Sequence, residues 1–175
     1  PSEITSSPSM DISKASNYER LVLDIMARDT ARTRQYMEQF EGTGQVSFDE
    51  FGLPMNTMRK IGFESGVSNH ASRLNAISWA YSEAGMFIDP HTADGVTVAL
   101  QFREPDVPIL CMATAHPAKF EATVREALGI VSPRPERFVG LEERVAEKTD
   151  AFVRVPNDID AIKAVLRANG FANRT

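Results

Sequence analysis

A seven-residue run that begins at a proline and carries no charge is the feature that most limits how this chain folds. Pro108-Ile109-Leu110-Cys111-Met112-Ala113-Thr114 is almost entirely apolar, and Pro117 follows after a short turn. A short run with apolar side chains toward both faces is typical of a parallel strand covered on both sides. Proline is favoured at the first position of a helix. The sequence therefore predicts a buried strand over 108–114 that leads directly into a helix at Pro117.

Helix patterns lie on both sides of this run. Capping residues and apolar positions three and four apart predict helices. These run from Tyr18, with Ser16 or Asn17 as the cap, to Phe40 either as one helix or with a restart near Asp29, from Ser68 to Ala84, from roughly Thr92 to Phe102, from Pro117 to Leu128, and from Asn157 or Asp158 to Gly170. Short extended runs are predicted at 63–67 and 152–155. This alternation indicates an α/β fold, with helices packed on a few mostly parallel strands. Because the strands are few for the length, we expect the remaining strands of the sheet upstream of this sequence.

Composition limits the classes of function. The 175 residues are 42% apolar with a net charge of −5, and the basic residues are scattered, which disfavours a nucleic-acid-binding surface. No apolar stretch approaches the roughly 18 residues of a membrane-spanning helix, and no signal peptide is visible. The single cysteine, Cys111, lies inside the apolar run and is predicted to be a small buried hydrophobe. These features predict a cytoplasmic protein without nucleic-acid or membrane partners.

The end of the predicted strand is the first candidate site. Ligands of open α/β sheets bind at the carboxyl ends of strands, which is where Thr114 and His116 lie. The alternative is structural, with Thr114 capping the following helix and His116 bonded to nearby backbone. Lys119 could in principle form a Schiff base, but the first turn of an amphipathic helix favours a surface charge.

A second candidate junction is Ile88-Asp89-Pro90-His91-Thr92, where an apolar run ends in an acid, an imidazole and a hydroxyl. The favoured interpretation is a helix N-cap, with Asp89 or Thr92 supplying the side-chain oxygen. The spacing of Asp89, His91 and His116 matches no zinc or hydrolase signature, so we expect no metal site.

Three motifs carry a family resemblance. Ser7–Ile12 reads SPSMDI and Ser16–Arg20 reads SNYER, which resembles the SPSMDI…SNFER segment of threonine synthases. Ile88–Ala93 is similar to that family's DPHTA, and Ala113–Phe120 is similar to its ATAHPAKF. The motifs occur in the family's order.

The resemblance implies a fold-type II enzyme that uses pyridoxal 5'-phosphate (PLP) to convert O-phospho-L-homoserine and water to L-threonine and phosphate. Positions 1–175 would form the C-terminal portion of its catalytic domain, with a family-specific helical extension from about 130 to 175. In that family an upstream lysine holds PLP as a Schiff base and an upstream glycine-rich loop holds its phosphate. Neither motif is in this sequence. We therefore expect no catalytic residue here, a reading frame that continues upstream, and no activity of this segment alone.

Residue by residue, the resemblance assigns the hydroxyl of Thr114 to the pyridine nitrogen of PLP. Other motif positions are expected near the active site without an assigned role, and these are Ser9, Met10, Asp11, Asn17, Arg20, Asp89, His91, His116 and Lys119. One departure is Asp94, where the family commonly has an apolar residue, and it brings the packing of the helix around it into question.

Two other functions remain open from the sequence. A threonine-synthase-like phospho-lyase would eliminate phosphate without making threonine, and motifs of the cofactor domain do not separate it from the synthase. A stand-alone α/β binding module without chemistry is the alternative from a different class.

Overall fold

The computed structural model describes residues 4–12, 14–54, 56–146 and 153–169. Within these ranges the chain forms α-helices and short 3-10 helices, and no β-strand. The α-helices are α1 (Tyr18–Ile25), α2 (Thr30–Thr43), α3 (Thr57–Lys60), α4 (His70–Ala84), α5 (Pro90–Ala99), α6 (Glu121–Leu128), α7 (Leu141–Ala146) and α8 (Ile159–Ala168). The 3-10 helices are Pro8–Asp11, Asp49–Phe51, Leu100–Phe102, Pro117–Phe120 and Glu136–Phe138. None of these helices combines the length and apolar character needed to cross a bilayer.

Capping chemistry sets most helix boundaries where the sequence predicts them. The carboxylate of Asp29 accepts hydrogen bonds from the backbone N–H groups of Ala31 and Arg32 at the start of α2. Gly85 ends α4 in the left-handed conformation at φ 62°. The cap of α4 is Asn69, one residue after the predicted Ser68, because its side chain and that of Ser72 form a reciprocal capping box.

The helix predicted from Thr92 to Phe102 begins earlier and is divided in two. Asp89 occupies the N-cap position and Pro90 the first turn, so α5 starts two residues before Thr92. Its last turn tightens into the 3-10 helix Leu100–Phe102.

The strand predicted over 108–114 is wrong for the described part of the chain. This segment is irregular and exposed, with Leu110 85% and Met112 74% accessible, and Cys111 is exposed as well. Residues 63–67 and 153–155 likewise form no strand, while Phe152 lies outside the described residues. A strand is stabilised by ladder hydrogen bonds and apolar contacts from neighbouring strands, and the described residues supply no such neighbour.

The chain divides into two compact units, residues 1–133 and 134–175. In the first, α4, α5 and α6 pack around a core that contains Ala76, Ile77, Ala80, Ile88 and Ala93. A second core of this unit joins α1 to α2 through Val22, Met26, Tyr36 and Met37. The described part of the second unit contains α7 and α8, and an ion pair of 2.7 Å joins Arg134 to Glu142.

Replacing Ile77 by a smaller residue tests how much the packing of α4 contributes to the stability of the first unit. Ile77 is fully buried, so Ile77→Ala should lower the free energy of unfolding by about 2–5 kcal/mol. The same substitution at Ile61, which is 49% exposed, should cost about 1 kcal/mol or less. Urea unfolding followed by the fluorescence of Trp79, the single tryptophan, measures both. Equal losses in the two variants would contradict this packing.

Candidate functional site

A pocket of about 550 Å³ lies between the end of α4, the beginning of α5 and residues 111–117. Most of its lining is apolar, and Trp79, Met86 and Phe87 contribute the largest side chains. The polar residues of the lining are Glu83, Asp89, Thr92, Thr114 and His116. The structure therefore brings together the two junctions that the sequence singled out, 88–92 and 113–117. A mostly apolar concavity with a few convergent polar groups is the usual form of a small-ligand site.

Asp89 connects the two junctions. Its side chain has no solvent exposure. Oδ1 accepts a hydrogen bond from the backbone N–H of His91 at 3.0 Å and lies 2.8 Å from His91 Nδ1. Oδ2 accepts from the hydroxyl of Thr92 and, at 3.2 Å, from the backbone N–H of Ala115. Asp89 is thus the predicted helix cap, and it also binds the turn that follows residues 108–114.

These donors keep Asp89 ionised. Burial raises the pKa of the Asp89 carboxyl, but hydrogen bonds from Thr92, the Ala115 N–H and His91 outweigh it, and the net shift is downward. An ionised carboxylate only accepts hydrogen bonds, so the contact with His91 requires Nδ1 to be the donor.

The second ring nitrogen of His91 fixes its tautomer. Nε2 accepts a hydrogen bond of 3.0 Å from the backbone N–H of Ser9, so Nε2 carries no proton and the imidazole is neutral. The ring also packs edge-on against Phe120, with 4.8 Å between ring centroids. His91 therefore attaches the segment Ser7–Asp11 to the start of α5.

A buried ion pair holds the same segment at a second point. Arg73 of α4 donates from Nε to Asp94 Oδ1 at 2.6 Å, and the hydroxyl of Ser7 donates to Asp94 Oδ2 at 2.5 Å. Arg73 also reaches the hydroxyl of Ser6 at 3.2 Å. The doubt that Asp94 raised about local packing is resolved, because both carboxylate oxygens have partners in the interior.

Asp11 connects the end of this segment to Thr5, which precedes it in the chain. Its carboxylate accepts from the backbone N–H of Thr5 at 2.9 Å and from the Thr5 hydroxyl at 2.7 Å. These hydrogen bonds, with a smaller contribution from the charge of Arg73, lower the pKa of Asp11. Met10 projects into solvent beside it.

Thr114 does not cap the helix that follows it. The cap of the 3-10 helix Pro117–Phe120 is His116, whose Nδ1 accepts from the backbone N–H of Ala118 at 3.2 Å. The backbone N–H of Thr114 donates to Thr92 Oγ1 at 3.0 Å, while its own hydroxyl makes one long contact of 3.5 Å with the carbonyl of Met112. That hydroxyl is therefore able to form a hydrogen bond with a ligand in the pocket.

Of the motif positions, Asp89, Thr114 and His116 line this pocket, whereas seven others do not: Ser9, Met10, Asp11, Asn17, Arg20, His91 and Lys119. Arg20 bonds to the side chain of Asn17 and lines a separate groove of about 430 Å³ between α1 and α2. Lys119 is exposed and does not line the pocket, which agrees with its interpretation as a surface charge.

Comparison with known proteins decides the family. Residues 92–166 match the family model described as threonine synthase, C-terminal. The threonine synthase of Methylobacillus glycogenes is 46% identical over 79% of this chain and 29% of its own length. That of Corynebacterium glutamicum is 41% identical over 91% of this chain and 32% of its own. The crystal structure of PLP-bound threonine synthase from Brucella melitensis matches with a TM-score of 0.78 and 30% identity, over 98% of this chain and 36% of that chain.

The chain carries the C-terminal segment of the threonine synthase family. The resemblance carried by the three motifs is thereby confirmed. The chain spans about a third of the length of the relatives it matches. It shares the fold of the matching part of a PLP-bound threonine synthase, although its described residues are helical or irregular.

Two residues of this threonine synthase segment, Arg73 and Trp79, were not predicted from the sequence as part of the site. Arg73 lies three and four residues before Ala76 and Ile77, and therefore on the inward side of α4. A charged residue on an inward face indicates a buried partner, and this signal could have directed attention to Asp94. No pattern in the sequence distinguishes Trp79 as a pocket residue.

Removing the charge of Asp89 tests the source of its lowered pKa. Asp89→Asn should cost about 1–3 kcal/mol near neutral pH, because an amide cannot accept from all of these donors. A depressed carboxyl pKa gives stability that is present above about pH 4 and disappears as the pH falls through the folded-state value. The difference in melting temperature from the wild type should therefore shrink in acid. Exposed Asp106, changed to Asn, is the control, and a pH-independent difference for Asp89→Asn would contradict the account.

Breaking the buried ion pair should be more costly than breaking an exposed one. Asp94→Ala leaves the Arg73 guanidinium buried without its carboxylate and should lower stability by about 3–5 kcal/mol. Asp24→Ala removes an exposed partner of Arg28 and should cost at most about 1 kcal/mol. Urea unfolding compares the two, and a loss below about 1 kcal/mol for Asp94→Ala would show that the pair is dispensable.

Proposed function

We propose that this chain forms the C-terminal part of the catalytic domain of a threonine synthase, a PLP-dependent lyase that converts O-phospho-L-homoserine and water to L-threonine and phosphate. The observation that carries the proposal is the match of 98% of the chain to a PLP-bound threonine synthase. The pocket at the junctions 88–92 and 113–117 supports the location of the cofactor site.

The residues of the pocket suit the ring of PLP. A cavity of about 550 Å³ lined by Trp79, Met86, Phe87 and Ile88 offers apolar contact to a planar aromatic group. Thr114 supplies a hydroxyl at its edge that has only a long contact within the chain. A hydroxyl can donate to a pyridine nitrogen, which is the position that the family resemblance assigns to it.

When bound, PLP supplies the electron sink for removing protons from the amino-acid substrate. The contribution of Thr114 is to orient the ring and to leave its nitrogen uncharged, because a neutral hydroxyl does not hold a proton there as a carboxylate does. The Asp89 network contributes rigidity, since Thr92 and Asp89 hold the backbone on both sides of the Thr114 peptide.

The covalent lysine belongs to another part of the proposed enzyme. The described residues that line the pocket include no lysine, and Lys119 is exposed outside it. The chain covers about a third of its relatives, which leaves room for that lysine and for a phosphate-binding loop. We therefore expect this chain by itself neither to make threonine nor to bind PLP covalently.

Two further assignments stay predictions. The compact unit 134–175 supports a family-specific helical extension beginning near residue 130. The cytoplasmic location expected from the composition is the other prediction.

Exchanging the hydroxyl of Thr114 tests the proposed cofactor contact. In the full-length enzyme that contains this chain, Thr114→Val should lower kcat by about ten- to a hundredfold, because a hydrogen bond to the ring is lost. Thr114→Ser keeps the hydroxyl and should retain most of the activity. Steady-state kinetics with threonine and phosphate measured separately, and thermal melting of the same PLP-saturated samples, provide the readout.

Two results would contradict the proposal. Wild-type turnover in Thr114→Val with a lowered melting temperature would make Thr114 a structural residue. Release of phosphate by the wild-type enzyme without threonine would favour the phospho-lyase alternative.

A further inference from the structure

We propose that Asp89 is a positioning residue that fixes the segment Ser7–Asp11 and the turn 114–116 to the start of α5 through two separate arms. One arm passes through His91 and the other through Thr92. The assignment of both segments to the catalytic site rests on the proposed function, whereas the mechanical coupling between them rests on contacts within this chain.

The first arm depends on the orientation of the His91 ring. Nδ1 faces Asp89 Oδ1 at 2.8 Å while Nε2 accepts from the backbone of Ser9 at 3.0 Å. Phe120 packs edge-on against the same ring. Rotating the ring breaks both hydrogen bonds together, so the position of Ser9 depends on the carboxylate although the two do not touch.

The second arm uses the Thr92 hydroxyl as a relay. The hydroxyl donates its proton to Asp89 Oδ2, which leaves its lone pairs to accept from the backbone N–H of Thr114 at 3.0 Å. The same Oδ2 accepts directly from the N–H of Ala115. Residues 108–114 lead into this turn without strand partners in the described part of the chain, so these two bonds carry much of its anchorage.

Geometry separates positioning from proton transfer. Asp89 accepts from four donors, three of them main-chain N–H or hydroxyl groups, and has no solvent exposure. His91 is buried, has both ring nitrogens occupied, and does not line the pocket. A general base needs a free nitrogen or oxygen within reach of the substrate. The pair therefore orients backbone and leaves proton transfer to other groups.

The Arg73–Asp94 pair is an independent anchor for the first segment. It holds Ser6 and Ser7, whereas His91 holds the N–H of Ser9. Loss of the His91 arm should therefore loosen residues around Ser9 without detaching the whole segment.

Amide hydrogen exchange, measured by NMR on the cofactor-free full-length protein that contains this chain, tests the two arms. His91→Asn keeps a donor near Asp89 and removes the acceptor for Ser9, so the Ser9 amide should exchange about tenfold faster while Ala115 is unchanged. His91→Gln, whose longer side chain can place an oxygen near Ser9, should restore part of that protection.

Thr92→Val removes the relay and should raise the exchange of the Thr114 amide about tenfold without affecting Ser9. Asp89→Asn should raise exchange at Ser9, Thr114 and Ala115 together. The amide of Met37 in α2 is the control for general unfolding and should stay protected.

Several results would overturn the coupling. If the Ser9 or Ala115 amide kept its wild-type exchange rate in Asp89→Asn, the arm assigned to that residue would be refuted. If the amides of Ser9 and Thr114 exchanged equally faster in both His91→Asn and Thr92→Val, the effect would be a general loosening of the structure and not the loss of two separate arms. If Asp89→Asn also raises the exchange rate of the Met37 amide, the variant is unfolding generally, and His91→Asn and Thr92→Val alone then test the proposal.

The exchange result is independent of catalysis. Normal turnover of Thr114→Val in the full-length enzyme would remove the proposed cofactor contact and leave the two-arm mechanics standing. Conversely, wild-type exchange at Ser9 and Thr114 in the single-arm variants would remove the positioning role and leave the proposed function intact.

Discussion

The carboxylate of Asp89 has no contact with solvent, so the protein itself must provide the donors that stabilise its charge. Those donors come from the first residues of α5 and from the turn after residues 108–114. An ionised group left without such donors would be strongly destabilising, and the local fold is therefore constrained to keep them in place. His91 extends the constraint to Ser9, which is 82 residues away in the sequence.

The helices provide the rigid frame on which this network rests. α4 packs against α5 and α6 around Ile77 and Ala93, and Asp89 caps the first turn of α5, which begins at Pro90. Arg73 and Asp94 add a buried ion pair between α4 and α5, directly beside the segment that His91 holds. The site is therefore built at helix starts and turns, where main-chain donors are available.

Local signals in the sequence predicted much of this frame. Asp29, Gly85 and Asp89 act as the caps and stops that their chemistry indicates, and the motifs placed Thr114 and His116 on the pocket. Contacts between distant residues were not predictable in this way. The residues around Ser9 form no pattern that indicates a hydrogen bond from its N–H to the imidazole of His91.

The strand expected over 108–114 failed for a related reason. An apolar run is compatible with a buried strand, but only neighbouring strands can satisfy its backbone and cover its side chains. The chain spans about a third of its relatives, and the described residues contain no such neighbour. Helix caps are read from a few adjacent residues, whereas a strand is defined by the rest of its sheet.

The protonation of the His91 ring tests the central claim most directly, because the two-arm arrangement requires one tautomer. Nitrogen-15 NMR of this chain labelled at histidine distinguishes a protonated from a bare ring nitrogen. Near neutral pH we expect His91 to show a protonated Nδ1 and a bare Nε2, as the bonds to Asp89 and Ser9 demand. An Nε2–H tautomer or a doubly protonated ring would contradict the account, since neither can accept from the Ser9 N–H.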